Sequence, residues 1–257
     1  SYSVNKINFS FVKNTNLIKF DLVINMIHGS PGENGEFVKY LNKLKIPHNS
    51  LPPQIAWLTQ NKFECSKKAK SLGILTPKNI RLSNLKNLES IFDKIKFPCF
   101  VKPNSGGSSL GISKVFKLKD LGNAINIAFK EDNIILIEEY IEGREFSVGV
   151  IKWRGKIKIL QITEIKTKNI FFDYSAKYNG ESKEITPAKI SNKLKTHIDS
   201  EILKIYKKFN LDGMIRCEFI VKENKAYLLD INNIPGMTKE SIITKQLKIA
   251  KISLNNY

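Results

Sequence analysis

The feature that most restricts this chain is a glycine- and serine-rich loop set between two strands. Residues 97–101 read as a short apolar strand, residues 102–111 (KPNSGGSSLG) follow, and residues 112–116 read as another strand. A Walker-type phosphate loop runs from a strand into a helix, so this order calls instead for a hairpin. Three glycines and three serines within residues 104–111 allow close backbone approach and offer N–H and hydroxyl donors, which suits a phosphate chain. Lys102, just before them, places a point charge there. The same residues also suit a plain turn, and the loop alone leaves both readings open.

Hydrophobic periodicity supplies the rest. Residues 20–27 (FDLVINMI) read as a buried strand entering the glycine-rich turn 28–35, and a helical pattern continues through Leu44. Residues 46–53 form a connection with three prolines. A helix is expected over 61–72, stopped by Gly73 at a left-handed cap position, and another over 118–130. Residues 134–137 form a strand ending in Glu138-Glu139. Residues 145–153 and 156–164 alternate as an antiparallel pair turned at Arg154-Gly155. Residues 166–187 have no clean period and hold Phe171, Phe172, Tyr174 and Tyr178; a loop of that length in a compact enzyme is usually functional. A helix over 191–209, two strands over 214–221 and 226–231, and a last helix near 239–249 complete a mixed α/β chain. It has too many hairpins for a fully parallel doubly wound sheet in its second half.

The net charge of +18 raises the question of nucleic acid. Only four of the 42 basic residues are arginine, the residue favoured for bidentate base contacts. The lysines are dispersed, without a basic block or regularly interleaved aromatics. Together with the abundant Ile and Asn they reflect A/T-rich codons, so specific nucleic-acid binding is not expected. No apolar run reaches the roughly 20 residues needed to span a bilayer, and no secretory leader is read. Cys65, Cys99 and Cys217 are odd in number and far apart, which speaks against a disulfide framework or a zinc site and fits a reducing cytoplasm. His48 and His197 read as surface residues, Trp57 and Trp153 as packing residues.

A second constellation lies near the end. Glu218 is on one predicted strand, Asp230 and Asn232 on the next, and a short turn at Glu223-Asn224 brings the strands side by side. Residues i and i+2 share a strand face, so Asp230 and Asn232 point together. If Glu218 faces them, three oxygen ligands converge as Mg²⁺ prefers; otherwise they are solvated residues of a sheet face. Arg216 shares the face of Glu218. Pro235-Gly236 marks a sharp turn, and the helix after it presents free N–H groups to an anion.

In this order, residues 28–35, 102–111, Glu138-Glu139, Gly143-Arg144-Glu145-Phe146, Asp173-Tyr174 through Ala176-Lys177-Tyr178, Arg216 with Glu218, and residues 230–241 resemble the motifs of D-alanine–D-alanine ligases over nearly the whole chain. The resemblance implies an ATP-grasp fold, α/β, with two α+β lobes enclosing ATP and a partial N-terminal α/β substrate lobe. The expected boundaries are 1–56 for that lobe, 57–140 for the central lobe and 141–257 for the C-terminal lobe with the metal site. It implies ligation of two D-alanines through an acyl phosphate, for peptidoglycan precursors in the cytoplasm. Lys62, Lys102, Ser109, Glu138 and Lys177 would serve the nucleotide, with Glu139 and Ile141 at adenine and Glu145 on the ribose. Glu218, Asp230 and Asn232 would hold two Mg²⁺ ions, for which Mn²⁺ is an alternative. Ser108 and Tyr178 would close the active-site loop. Arg216 and the Gly236 N–H would stabilise the oxyanion, while His28, Ser241 and Ile242 would meet substrate. A homodimer through the N-terminal lobe is implied as well.

The chain departs from the family pattern in three respects, one being that it stops at Tyr257, where a family helix usually continues. The usual Gly-Gly-x-Ser-x-Glu loop has no counterpart in residues 1–20, so the chain is expected to begin partway into the first lobe, with an impaired first D-alanine site. The alternatives are an ATP-binding remnant or a ligase with another second substrate. The usual Asp-then-Glu order of metal ligands is also exchanged, as Glu218 and Asp230. In this family a tyrosine at position 178 accompanies D-alanine and a phenylalanine D-lactate. Tyr178→Phe is therefore expected to raise the share of ester product when D-alanine and D-lactate compete; an unchanged product ratio from pH 6 to 9 would count against that role.

Overall fold

A computed structural model describes residues 20–85, 94–107, 109–167 and 182–253. The expected buried strand over 20–27 is instead an extended segment with one parallel bridge, Val23 to His48. Its alternation is real, but only one side is covered. Asn25 is 1% exposed, whereas Phe20, Leu22, Ile24 and Met26 lie open. The buried Asn25 is satisfied by donating to the Gly32 carbonyl (3.1 Å) and Ser50 Oγ (2.9 Å). Helix α1 (Glu36–Lys43) buries Phe37, Val38 and Leu41. The chain enters it through Gly35 at φ +86°, where a Cβ would lie 2.5 Å from the Pro53 carbonyl oxygen.

Part of the proline-rich connection is helical. Helix α2 (Pro53–Gln60) begins on a proline, which is tolerated in the first turn because that N–H has no intrahelical partner. It buries Ala56 and Thr59, while Trp57, expected to pack, is half exposed. Helix α3 (Lys62–Ser71) is capped by Asn61, whose side chain accepts from the Glu64 N–H. It ends as anticipated, with Gly73 at φ +71°.

Two antiparallel sheets follow. The first contains β1 (Asn79–Leu82), which the sequence pattern had not disclosed, β2 (Cys99–Pro103), β3 (Ser113–Val115) and β4 (Ile135–Glu139), in the order β1-β4-β2-β3. Helix α4 (Leu118–Phe129) packs Leu121, Ala124, Ile125 and Ala128 into the core with Val101, Val115 and Ile137. The second contains β5 (Arg144–Trp153), β6 (Lys156–Ile159), β7 (Thr163–Thr167), β8 (Ser182–Ile185), β9 (Ile215–Lys222) and β10 (Lys225–Asn232). Its order is β10-β9-β5-β7-β8, with β6 also on β5. The two-residue turns Arg154-Gly155 and Glu223-Asn224 all take positive φ, as the twist of tight hairpins requires. The ends of the expected 166–187 loop are in fact paired: Lys166 opposes Lys183 and Thr167 opposes Ser182.

The largest core lies against this second sheet. Phe146, Val148 and Val150 of β5 and Cys217, Phe219 and Val221 of β9 meet Leu194, Ile198, Ile202 and Ile205 of α5 (Asn192–Lys208). Ala56 of α2 and Cys65 and Ala69 of α3 join the same core. The opposite face of the sheet is left for chemistry.

On that face α6 (Ile242–Ile249) repairs a gap. One edge of β5 is shared by β6 and β7, and the chain leaves the ladder between them. Gln246, fully buried, fills the break: its Oε1 accepts from the Gly149 N–H (3.0 Å) and its Nε2 donates to Ser147 O and Thr163 Oγ1 (2.9 Å each). Gly149 admits the helix, since a Cβ there would lie 2.2 Å from Ile243 Cδ1. Gln246→Leu would strand these buried groups and is expected to destabilise the fold by about 3 kcal/mol, read as a lower urea midpoint with an unchanged slope.

Candidate active site

The site is built first by β9 and β10. Asp230 stands opposite Glu218, and Asn232 opposite Arg216. Directly opposed residues of an antiparallel pair share a face, so the four polar side chains gather on one side. A bulge between Leu228 and Asp230 makes this compatible with the core. Leu228 opposes Phe219, and both are buried; without the extra residue, Leu228 and Asp230 would point the same way. Arg216 Nη2 contacts Glu218 Oε1 at 2.8 Å, and Asn232 Nδ2 approaches the same oxygen at 3.4 Å. Arg216 Nε is buried without a partner, an orphan donor of the kind that marks a functional position. No group of three His, Cys, Asp or Glu residues suited to a metal occurs among the described residues, because here the third oxygen donor would be the amide of Asn232. Two carboxylates and an amide are the hard oxygen set that fits Mg²⁺.

The lysines approach from other elements. Lys102, on β2, and Glu138, on β4, are both buried and meet at 2.6 Å. Lys62 opens α3, and its Nζ reaches the Gly106 carbonyl (3.0 Å) and Asp230 Oδ2 (3.6 Å). Its position is set by Asn104, 2% exposed, whose backbone oxygen accepts from the Lys62 N–H and whose Oδ1 accepts from the Phe63 N–H. The base of the glycine loop thus caps the helix that carries the second lysine. Below them a small cavity of about 10 Å³ is lined by Lys62, Cys65, Thr76, Glu138 and Asp230. Glu139 ends β4 and leads through Tyr140 and Ile141 to β5. Tyr140 is held there by Lys114 Nζ, 3.4 Å from its ring centre, and by the Phe100 ring. Glu145 and Ser147 stand on β5, with Ser147 opposite Glu218.

The third component is the loop from His28 to Gly35. His28 Nδ1 lies 3.3 Å from the Ile234 carbonyl and 3.2 Å from Glu33 Oε1. Both are acceptors, so Nδ1 carries the proton. Glu33 Oε2 accepts from the Gly29 N–H (2.9 Å). Gly107 of the glycine loop faces the other ring nitrogen, since a Cβ there would lie 3.4 Å from Nε2. Ser241 caps α6 without bonding its own helix; its Oγ turns to the Thr238 N–H (3.0 Å) and lies 3.2 Å from a Cβ built on Gly236. Ile242 is buried, so only its backbone N–H is offered at the helix start.

The structure therefore brings Lys62, Lys102, Glu138, Arg216, Glu218, Asp230 and Asn232 to one cleft, with His28, Gly236, Ser241 and Ile242 beside it. Ser109, within the loop, is left-handed at φ +59°. Ser108, Lys177 and Tyr178 lie outside the described residues. Asn104, Glu33, Asn233 and Tyr140 escaped sequence reasoning as separate positions. Asn104 and Glu33 lie inside motifs already marked, and their polarity beside glycine was the available signal. The three cysteines are buried and unpaired. Burial pushes the Cys65 thiol up to about 12 and that of Cys99 to about 11, which makes them inert.

Two antiparallel α+β sheets with lysines, a glycine-rich hairpin and paired acids between them define the ATP-grasp class. The family model for the C-terminus of D-ala D-ala ligases matches residues 69–256. The D-alanine–D-alanine ligases of Flavobacterium johnsoniae and Flavobacterium psychrophilum are 44% and 41% identical, over 99% and 98% of this chain and 80% and 78% of theirs. Among solved structures, the VanG D-Ala:D-Ser ligase from Enterococcus faecalis superimposes with a TM-score of 0.80 at 28% identity, over 90% of this chain and 68% of that one. The D-alanine–D-alanine ligase from Bacillus anthracis complexed with ATP gives 0.77 at 26%, over 92% and 76%. The chain belongs to the D-alanine–D-alanine ligase family.

His28 titrates above its ordinary 6.5, chiefly because of the Glu33 carboxylate, against desolvation and with help from the Ile234 carbonyl. A raised folded value stabilises the protein fully below about pH 6.5 and loses that effect as pH rises through it. The melting temperature of wild type over His28→Gln is thus expected to be greatest near pH 6 and to shrink towards pH 8.5; a constant difference would contradict the ion pair.

Proposed function

We propose that this chain is an ATP- and Mg²⁺-dependent ligase that joins two D-alanines into D-alanyl-D-alanine for peptidoglycan precursors. The observation that carries the reading is the gathering of Glu218, Asp230, Asn232 and Arg216 on one sheet face, with Lys62 and Lys102 directed at it from two other elements. Family membership supplies the substrate class. Glu218, Asp230 and Asn232 would hold Mg²⁺, which neutralises phosphate charge when bound.

In this reading Lys62 and Lys102 orient the nucleotide phosphates, Glu138 holds Lys102, Glu139 and Ile141 line adenine, and Glu145 takes the ribose. Ser108, Ser109, Lys177 and Tyr178 belong to the loops that cover the phosphates and keep water away. A carboxylate oxygen of the first D-alanine attacks the γ-phosphorus, the β–γ bridging bond breaks, and ADP departs. The amine of the second D-alanine attacks the resulting acyl phosphate at carbon. The tetrahedral oxyanion lies against the Gly236 N–H and against Arg216, whose orphan Nε supplies a donor that needs no reorganisation; such a donor is worth on the order of 3 kcal/mol. Inorganic phosphate then leaves and the amine loses its proton. Ser241 and the Ile242 N–H receive the second carboxylate, and His28 stands on the first-substrate side.

A cytoplasmic location and a homodimer belong to the same proposal. Three unpaired buried thiols suit a reducing compartment, and no helix among the described residues is long and apolar enough to cross a membrane. The test is phosphate release with ATP and Mg²⁺, in the presence and absence of D-alanine. Release is expected to require D-alanine and to vanish in Asp230→Ala. ATP binding without D-alanine-dependent release would overturn the ligase reading in favour of a nucleotide-binding protein, and faster release with D-serine would change the second substrate.

A further inference from the structure

Asn233 follows the last proposed metal ligand, yet its side chain points away from the metal face. It is 8% exposed, and its Nδ2 lies 2.7 Å from Thr59 Oγ1, 3.0 Å from the Glu33 carbonyl and 3.2 Å from the Ala56 carbonyl. Thr59 Oγ1 directs its own hydrogen at the α2 carbonyls of Ile55 and Ala56, so it accepts from Asn233. Three acceptors around one nitrogen fix which end of the amide faces the junction. A circuit closes from here. Glu33 receives Asn233 on its backbone and holds His28 and Gly29 with its carboxylate, while His28 returns to the carbonyl of Ile234, the residue after Asn233. On the other side Thr59 and Ala56 belong to α2, which runs directly into the residue capping the Lys62 helix.

We propose that Asn233 is a positioning residue for ligation. One buried amide sets the spacing between the His28 loop, the turn carrying Gly236 and α2. This rests on the ligase reading above. The residue touches no substrate; it acts through His28 and the 234–236 turn, while Lys62 is held separately by Asn104, so the ligation chemistry depends on it and nucleotide binding does not. A misplacement of about 1 Å among reacting groups costs on the order of 100-fold in rate.

The test compares wild type, Asn233→Leu and Asn233→Thr for D-alanine-dependent phosphate release and for calorimetric binding of a non-hydrolysable ATP analogue with Mg²⁺. Leucine keeps the volume without a donor, and threonine keeps one hydroxyl donor. The expected result is analogue affinity within about twofold of wild type, a kcat lower by on the order of 100-fold in the leucine variant, and recovery of about tenfold in the threonine variant. A leucine variant with wild-type kcat, or one whose kcat falls only in proportion to analogue binding, would overturn the proposal. Should the leucine variant not fold, the threonine variant decides alone: a partial kcat loss at unchanged analogue affinity supports positioning, and wild-type kcat overturns it. Absence of D-alanine-dependent release in the wild type would instead remove the ligase reading on which the idea rests.

Discussion

Everything at the site depends on the register of β9 against β10. The turn at Glu223-Asn224 sets that register, and the bulge before Asp230 changes its phase. From Lys225 to Leu228 the alternation sends Ala226 and Leu228 into the core; after the bulge Ile231 goes in, and Asp230 and Asn232 come out beside Glu218 and Arg216. A one-residue slip would reverse all of these sides together. The left-handed conformations at Glu223 and Asn224 are therefore part of the active-site geometry, although neither residue lies near it.

The second dependence is on how elements distant in sequence are tied to those strands. The α3 N-terminus is bonded to Asn104, at the base of the glycine loop, so loop and lysine form one unit spanning two packing groups. Gln246 binds α6 into the interrupted edge of β5, and the same helix begins at Ser241. Both ties use a buried amide to replace hydrogen bonds that regular secondary structure does not supply. This is the condition under which an irregular backbone stays buried.

Long, strongly periodic elements were legible in the sequence: α3 to its glycine stop, α4, α5, and the hairpins at Arg154-Gly155 and Glu223-Asn224. The polar face of Arg216, Glu218, Asp230 and Asn232 could be read from i, i+2 spacing, although the bulge that makes it work could not, because Leu229 looks like any other apolar strand residue. Residues 20–27 misled for a different reason. Their apolar side chains alternate on both faces, and periodicity cannot say which face finds a partner. Helix α2 was hidden by its prolines, which mark turns more often than helix starts. Asn233 and Gln246 were invisible, because a buried amide bonding across more than 80 residues leaves no local pattern.

The charges of the site are balanced in pairs: Lys102 with Glu138, Lys62 with Asp230, and Arg216 with Glu218. Each pair joins a group proposed to meet phosphate or oxyanion with one proposed to meet nucleotide or metal. Only Lys102–Glu138 is buried on both sides, and there removing one partner is costly because it strands the other charge. In the proposed reading, drawing Lys62 towards a phosphate would leave Asp230 in need of a cation, and drawing Glu218 onto a cation would release Arg216 Nη2, while Nε is unpaired in either case. Only Lys62–Asp230 joins separate parts of the fold, since Lys102 and Glu138 share the first sheet and Arg216 and Glu218 share β9; in the proposed reading it is the pair through which nucleotide and cation would be coupled.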